Sequence, residues 1–118
     1  MERGQRILLS VAGVWGLFGV VMLAAGAHAP RMGVMATGGM MLLFHAAAAI
    51  GLIRTPLLSG WRRALPVALM LLGSGLFALE VGLHAALGVT PFVMLAPVGG
   101  TIAILGWLAL IVTPQLEP

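Results

Sequence analysis

The sequence predicts an all-α fold: a single integral-membrane domain over residues 1–118, built as an up-down-up-down bundle of four spanning helices. Three observations predict it. Hydrophobic residues make up 61% of the chain and charged residues 8%, with a mean hydropathy of +1.14. A soluble domain covers its surface with about 25% charged residues. The apolar residues form four runs, each near the roughly 20 residues that cross about 30 Å of hydrocarbon. The links between runs are short, and arginines flank them.

The first run spans Ile7 to Ala27 and leads into Ala27-His28-Ala29, which has the form of a signal-peptide cleavage site. It exceeds the roughly 7–15 residues of a signal h-region, and Pro30 would follow the cut, so it is expected to be a retained span. The second run covers Met32 to Ile53, the third Ala64 to Leu87 and the fourth Phe92 to Val112. Pro30-Arg31, Arg54 to Arg63 and Gly88 to Pro91 connect them, and links this short force neighbouring helices antiparallel.

Arg3, Arg6, Arg54, Arg62 and Arg63 fall on one side of this arrangement and Arg31 on the other. The positive-inside rule then places both termini and the middle loop in the cytoplasm, with Trp61 as an interfacial anchor. A bacterial inner membrane is the expected location, and the arginine-only, Ala/Gly-rich composition suggests a GC-rich genome. The seventeen glycines permit close helix contact in lipid. Gly13, Gly16 and Gly19 on the first span, Ser74, Ala78 and Gly82 on the third, and Gly99, Ala103 and Gly106 on the fourth are the expected packing positions.

Several functions are excluded. Cysteine is absent, which removes disulfides, thiolate metal ligation and thiol catalysis. The arginines flank spans rather than forming a nucleic-acid patch. No phosphate-binding glycine loop with its lysine, Ser-His-Asp set or carboxylate pair is present, and a non-enzymatic protein is expected.

Glu80 is the main candidate for function. It lies inside the third run, with no other charged residue between Arg63 and Glu117. A carboxyl group in hydrocarbon costs roughly 2–3 kcal/mol and normally faces protein or a water-filled cavity. By helical rise Glu80 sits roughly 8–10 Å inside the outer boundary, with His84 one turn nearer to it and His28 at the same end. The fourth run reaches Pro97 at similar depth. In a helix starting at Phe92, Pro97 would free the Val93 carbonyl and Gly99-Gly100 would weaken the next turn, so a kinked or unwound segment is expected beside Glu80. Interrupted helices beside acidic residues form binding sites in transporters. The competing expectation is a structural carboxyl, hydrogen-bonded to His84, Thr101 or a backbone carbonyl.

His45 is deeper, on a face with Gly38, Met41 and Ala49. As a lone polar residue it suits an interhelical hydrogen bond; proton relay or ligation of haem or metal is the alternative. His45 and His84 differ in depth by roughly 12–15 Å, too far for a pair of axial haem ligands. Glu80, His84 and His28 match better in depth and are the candidate metal ligands, without a defined ligand spacing.

Three segments carry a family resemblance: Gly26-Ala27-His28-Ala29, Phe44-His45-Ala46, and Pro97-Val98-Gly99-Gly100 preceding Gly106-Trp107. In this order they resemble the small four-helix membrane proteins of the domain of unknown function 423 family, related to transmembrane protein 256. The resemblance implies the fold and a membrane location, and carries over His28, His45 and the Pro97-to-Gly100 segment; it implies no reaction. Met41-Leu42-Leu43-Phe44 departs from the Tyr-Gln usual before the histidine, Phe77-Ala78-Leu79-Glu80 replaces a Phe-Ser-Gly-Ser stretch, and the loop after His28 is short.

The leading expectation is a polar pocket in the outer half that binds or transports a proton, cation or small ligand. Glu80 would hold it, His84 tune it, and Pro97, Gly99, Gly100 and Thr101 frame it, within a homo-oligomer. The alternatives are an accessory or assembly subunit of a larger membrane complex, and a redox protein with a haem or metal ion at His45. The lipid bilayer is the one expected partner common to all three.

Overall fold

The computed structural model describes residues 2–117, apart from the side chain of Arg31, which lies outside the described part. Four helices carry the described chain, without strands among the described residues: α1 (Arg3–His28), α2 (Val34–Arg54), α3 (Trp61–Leu87) and α4 (Leu95–Val112). All four are long and apolar enough to cross a membrane.

Their ends follow from local chemistry. α1 starts four residues before the apolar run because the Glu2 backbone N–H donates to Gln5 Oε1 at 3.1 Å, satisfying the exposed first turn. It stops at His28; Ala29 is extended, as the residue before a proline tends to be, and a 3₁₀ turn over Pro30–Met32 hands the chain to α2. Gly60, at φ 57°, precedes α3, and Gly88, at φ 72°, ends it by donating to the His84 carbonyl at 2.9 Å. Both backbones sit where glycine alone is unstrained.

α4 departs from expectation. Residues Pro91 to Met94 form a turn, and the helix begins at Leu95 rather than Phe92. Pro97 therefore lies in the first turn, where its missing N–H would have had no intrahelical partner. The helix continues through Gly99 and Gly100 without a break, and a 3₁₀ turn over Thr113–Gln115 extends it. The expected unwinding at Pro97 does not occur.

Consecutive helices pack through glycines. A Cβ on Gly39 of α2 would stand 2.7 Å from the Gly19 carbonyl of α1, and one on Gly26 would stand 2.8 Å from the Ala36 nitrogen. Between α3 and α4 a Cβ on Gly73 would strike the Ala103 backbone, and one on Gly99 would stand 2.6 Å from the Gly73 carbonyl. Gly38 meets Ala78 between α2 and α3. Such contacts let backbones approach closely enough for dispersion to hold the helices where no hydrophobic drive acts.

α2 and α3 form the centre, with α1 against α2 and α4 against α3. Backbones of α4 and α1, and of α4 and α2, do not come within 8 Å among the described residues. The bundle is open on that side. A compact cluster of Ala12, Ala49, Ile53, Val67 and Leu71, with Leu8 and Leu9 beside it, closes the end that carries Arg3, Arg6, Arg54, Arg62 and Arg63. There Arg62, 7% exposed, donates to the Leu116 carbonyl at 3.0 Å, and Arg63 donates to the Thr55 carbonyl at 2.7 Å. Apolar side chains including Val14, Leu17, Phe44, Ile104 and Ile111 point outward, far more apolar surface than a water-soluble monomer presents.

Candidate functional site

The α4-facing side of α3 is set by Gly73, Leu76 and Phe77, all in contact with the position of Gly99. Glu80 follows seven residues after Gly73 and three after Phe77, so helical periodicity places it on this same side, towards the start of α4. It is 8% exposed. Among the described residues it makes no hydrogen bond or ion pair. The burial expected from the sequence is present; the partners are not.

His84 does not serve Glu80. It is exposed, and its Nδ1 lies 3.0 Å from the Thr90 hydroxyl, beyond the left-handed Gly88. Thr101 does not serve Glu80 either: its hydroxyl donates to the Pro97 carbonyl at 2.8 Å on the exposed side of α4. That bond occupies a carbonyl expected to face a ligand. Pro97 is exposed, Gly99 is buried as a packing contact, and Gly100 has open space where a Cβ would stand. His28 is the exposed last residue of α1. No group of three His, Asp or Glu residues able to hold a metal ion forms among the described residues, so Glu80, His84 and His28 are not brought together as ligands.

His45 is the most completely ordered polar group. It is 6% exposed; Nδ1 lies 2.7 Å from the Met41 carbonyl, and Nε2 lies 3.0 Å from Trp107 Nε1. A carbonyl only accepts and an indole N–H only donates, so Nδ1 carries the proton and Nε2 accepts. Both nitrogens are engaged. Axial ligation of haem would require the bond from Trp107 to break.

Two tryptophans make polar contacts between helices although neither is among the candidate site residues read from the sequence. Besides Trp107, Trp15 of α1 donates its Nε1–H to the Leu71 carbonyl of α3 at 2.7 Å. The available signal is general: an indole N–H inside a span needs an acceptor from a neighbouring helix or its own. Trp15 also walls an apolar cavity of about 340 Å³ between α1, α2 and α3, lined by Phe18, Met22, Met35 and Leu42. Glu80 does not line it. The polar pocket expected in the outer half is thus reduced to Glu80 itself on the α3–α4 seam.

No protein-family model, curated protein or solved structure matches this chain.

Proposed function

We propose that this chain is a non-enzymatic, multi-pass protein of a bacterial inner membrane, with Glu80 binding a proton or small cation at the seam between α3 and α4. One observation carries it: a glutamate residue 8% exposed, within a span, whose carboxyl group no described side chain neutralises or hydrogen-bonds. Such a group is costly in hydrocarbon, and ion or proton pathways are where that cost is commonly met by use. Contacts of Gly19 with Gly39, Gly26 with Ala36, Gly73 with Gly99 and Gly106 with Met70 run in opposite residue order and support an up-down-up-down bundle. The arginine-rich end supports the N-in, C-in orientation. Membership of the domain of unknown function 423 family is part of the proposal, carried by the order of His28, His45 and Pro97-to-Gly100.

The test is flux in liposomes. Purified chain reconstituted with a pH-reporting dye inside should relax an imposed pH or cation gradient, and Glu80→Gln should abolish the relaxation while circular dichroism stays unchanged. Equal rates with and without the chain, or with Glu80→Gln, reject this function.

A second function, accessory subunit of a larger membrane complex, is favoured by a separate observation. A methyl group added at Gly13 or Gly16 of α1, or at Gly100 of α4, would meet no atom of a neighbouring helix within 4 Å among the described residues, so these glycines serve no interhelical contact there. Co-purification with a membrane complex that is lost in Gly13→Ile and kept in Glu80→Gln would select it.

A further inference from the structure

The arginine-rich end holds a second concave surface that the Glu80 seam does not use. Arg3, Arg6 and Ser10 stand on successive turns of α1 and, with Ile7, Val14 and Trp15, line a groove of about 380 Å³. Its lining is almost wholly apolar, made of arginine stems, aliphatic side chains and the Trp15 ring, with the exposed Arg3 and Arg6 at one end and Ser10 near the middle. Arg62 and Arg63 are committed to the Leu116 and Thr55 carbonyls, whereas Arg3 and Arg6 are exposed. Glu2 and Glu117 are the acids set against five arginines here, so the end favours an anion.

Length narrows the ligand. Arg3 and Trp15 are twelve residues apart, about 18 Å along the helix. The hydrocarbon of one leaflet is about 15 Å deep, half of the bilayer core. A molecule with its anionic group at Arg3 and Arg6 and its apolar part ending at Trp15 therefore has the dimensions of a phospholipid in one leaflet. A free phosphate or soluble anion would use the arginines and leave the remaining groove without purpose. Trp15 is a fixed wall, since its N–H is held by the Leu71 carbonyl at 2.7 Å. The same ring borders the apolar cavity that begins at Phe18 and Met22, so apolar surface continues past it.

We infer that the α1 groove binds one anionic phospholipid, its phosphate held by the exposed Arg3 and Arg6, and one acyl chain lying along Ile7 and Val14 to Trp15. Basic pockets on membrane helices recognise anionic headgroups in this manner. The site rests on the membrane-spanning assignment and is independent of Glu80.

Native mass spectrometry of the full chain in mild detergent tests it, with dioleoyl phosphatidylglycerol, dioleoyl phosphatidylcholine and glycerol 3-phosphate as probes. The first phosphatidylglycerol should bind at least about tenfold tighter than phosphatidylcholine, and glycerol 3-phosphate should not displace it. R3Q/R6Q should weaken phosphatidylglycerol about thirtyfold and leave phosphatidylcholine unchanged. R3K/R6K should keep the preference, and R54Q, at the same end but outside the groove, should keep it as well. Equal affinity for the two lipids overturns the site, as does an R54Q loss as large as that of R3Q/R6Q, which would mean unspecific attraction to a basic end. Displacement by glycerol 3-phosphate would leave an anion site without a lipid. Vesicle flotation separates the underlying premise: a chain that floats with neither lipid composition is not membrane-spanning, whereas one that floats with both and shows no preference refutes the groove alone.

Discussion

The indole of Trp107 donates to the imidazole of His45 at 3.0 Å, and this bond joins α4 to α2, whose backbones stay more than 8 Å apart among the described residues. The rings meet edge to face, with centroids 5.8 Å apart and planes at 66°. Because the Met41 carbonyl takes the other ring nitrogen, one tautomer satisfies both partners. The pair ties the last helix to the centre of an otherwise open bundle. Trp107→Phe and His45→Phe should each destabilise the chain, and the double variant should cost less than their sum. The coupling should be about 0.5–1.5 kcal/mol, the range of interhelical hydrogen bonds in membranes. Reversible unfolding in mixed micelles measures it; additive losses would mean the two rings do not interact.

How much of this was legible in the sequence depends on the distance over which each feature is decided. Four helices follow from runs of apolar residues, which the backbone can satisfy in lipid only by local hydrogen bonding. The start of α4 does not follow from hydropathy, because Phe92 and Val93 are as apolar as the residues after them. Pro97 was itself a start signal, being at home in a first turn, and treating it as an interruption predicted a break that is absent. The burial of Glu80 was legible because a carboxyl inside a span has few other places to go. Its lack of a partner among the described residues was not, since His84 turns to Thr90 beyond the Gly88 that ends the helix. The partner of His45 lies 62 positions away, beyond any local pattern.

The glycines divide into two sets that substitution should separate. Gly73→Ala and Gly99→Ala place a methyl against backbone that cannot turn aside, and α3 and α4 must move apart. Each should cost about 2–3 kcal/mol, as overpacked contacts do. Gly13→Ala and Gly16→Ala meet nothing within 4 Å and should stabilise the isolated chain by about 0.5–1 kcal/mol through helix propensity. Thermal unfolding of the four variants checks both signs. A loss at Gly13 or Gly16 equal to that at Gly73 would contradict the packing described.

Glu80 should weaken the fold it occupies. A largely buried glutamate with no partner among the described residues is destabilising, and an apolar side chain of similar size removes that penalty. Glu80→Leu should therefore stabilise the chain by about 1–3 kcal/mol in micelles while abolishing the gradient relaxation proposed for the wild type. Destabilisation by Glu80→Leu would show that the carboxyl has a structural partner and would remove the basis for a proton or cation site.

Arg62 holds the C-terminal end. It is 7% exposed, and its one hydrogen bond among the described residues goes to the Leu116 carbonyl, 54 positions away, beside the buried Thr113. A guanidinium is a strong donor to a carbonyl, and its long stem also fills space against the neighbouring helices. Arg62→Gln shortens the reach and removes the charge, so the 3₁₀ turn over Thr113–Gln115 should lose its anchor while α4 stays packed through Gly99 and Gly106 on α3. Hydrogen exchange should then accelerate about tenfold for the amides of residues 113–117, equivalent to about 1.4 kcal/mol of local opening, with residues 99–109 unchanged. Acceleration spreading through all of α4 would instead make Arg62 a determinant of the whole α3–α4 pairing, and unchanged exchange at both places would mean the bond to Leu116 contributes nothing.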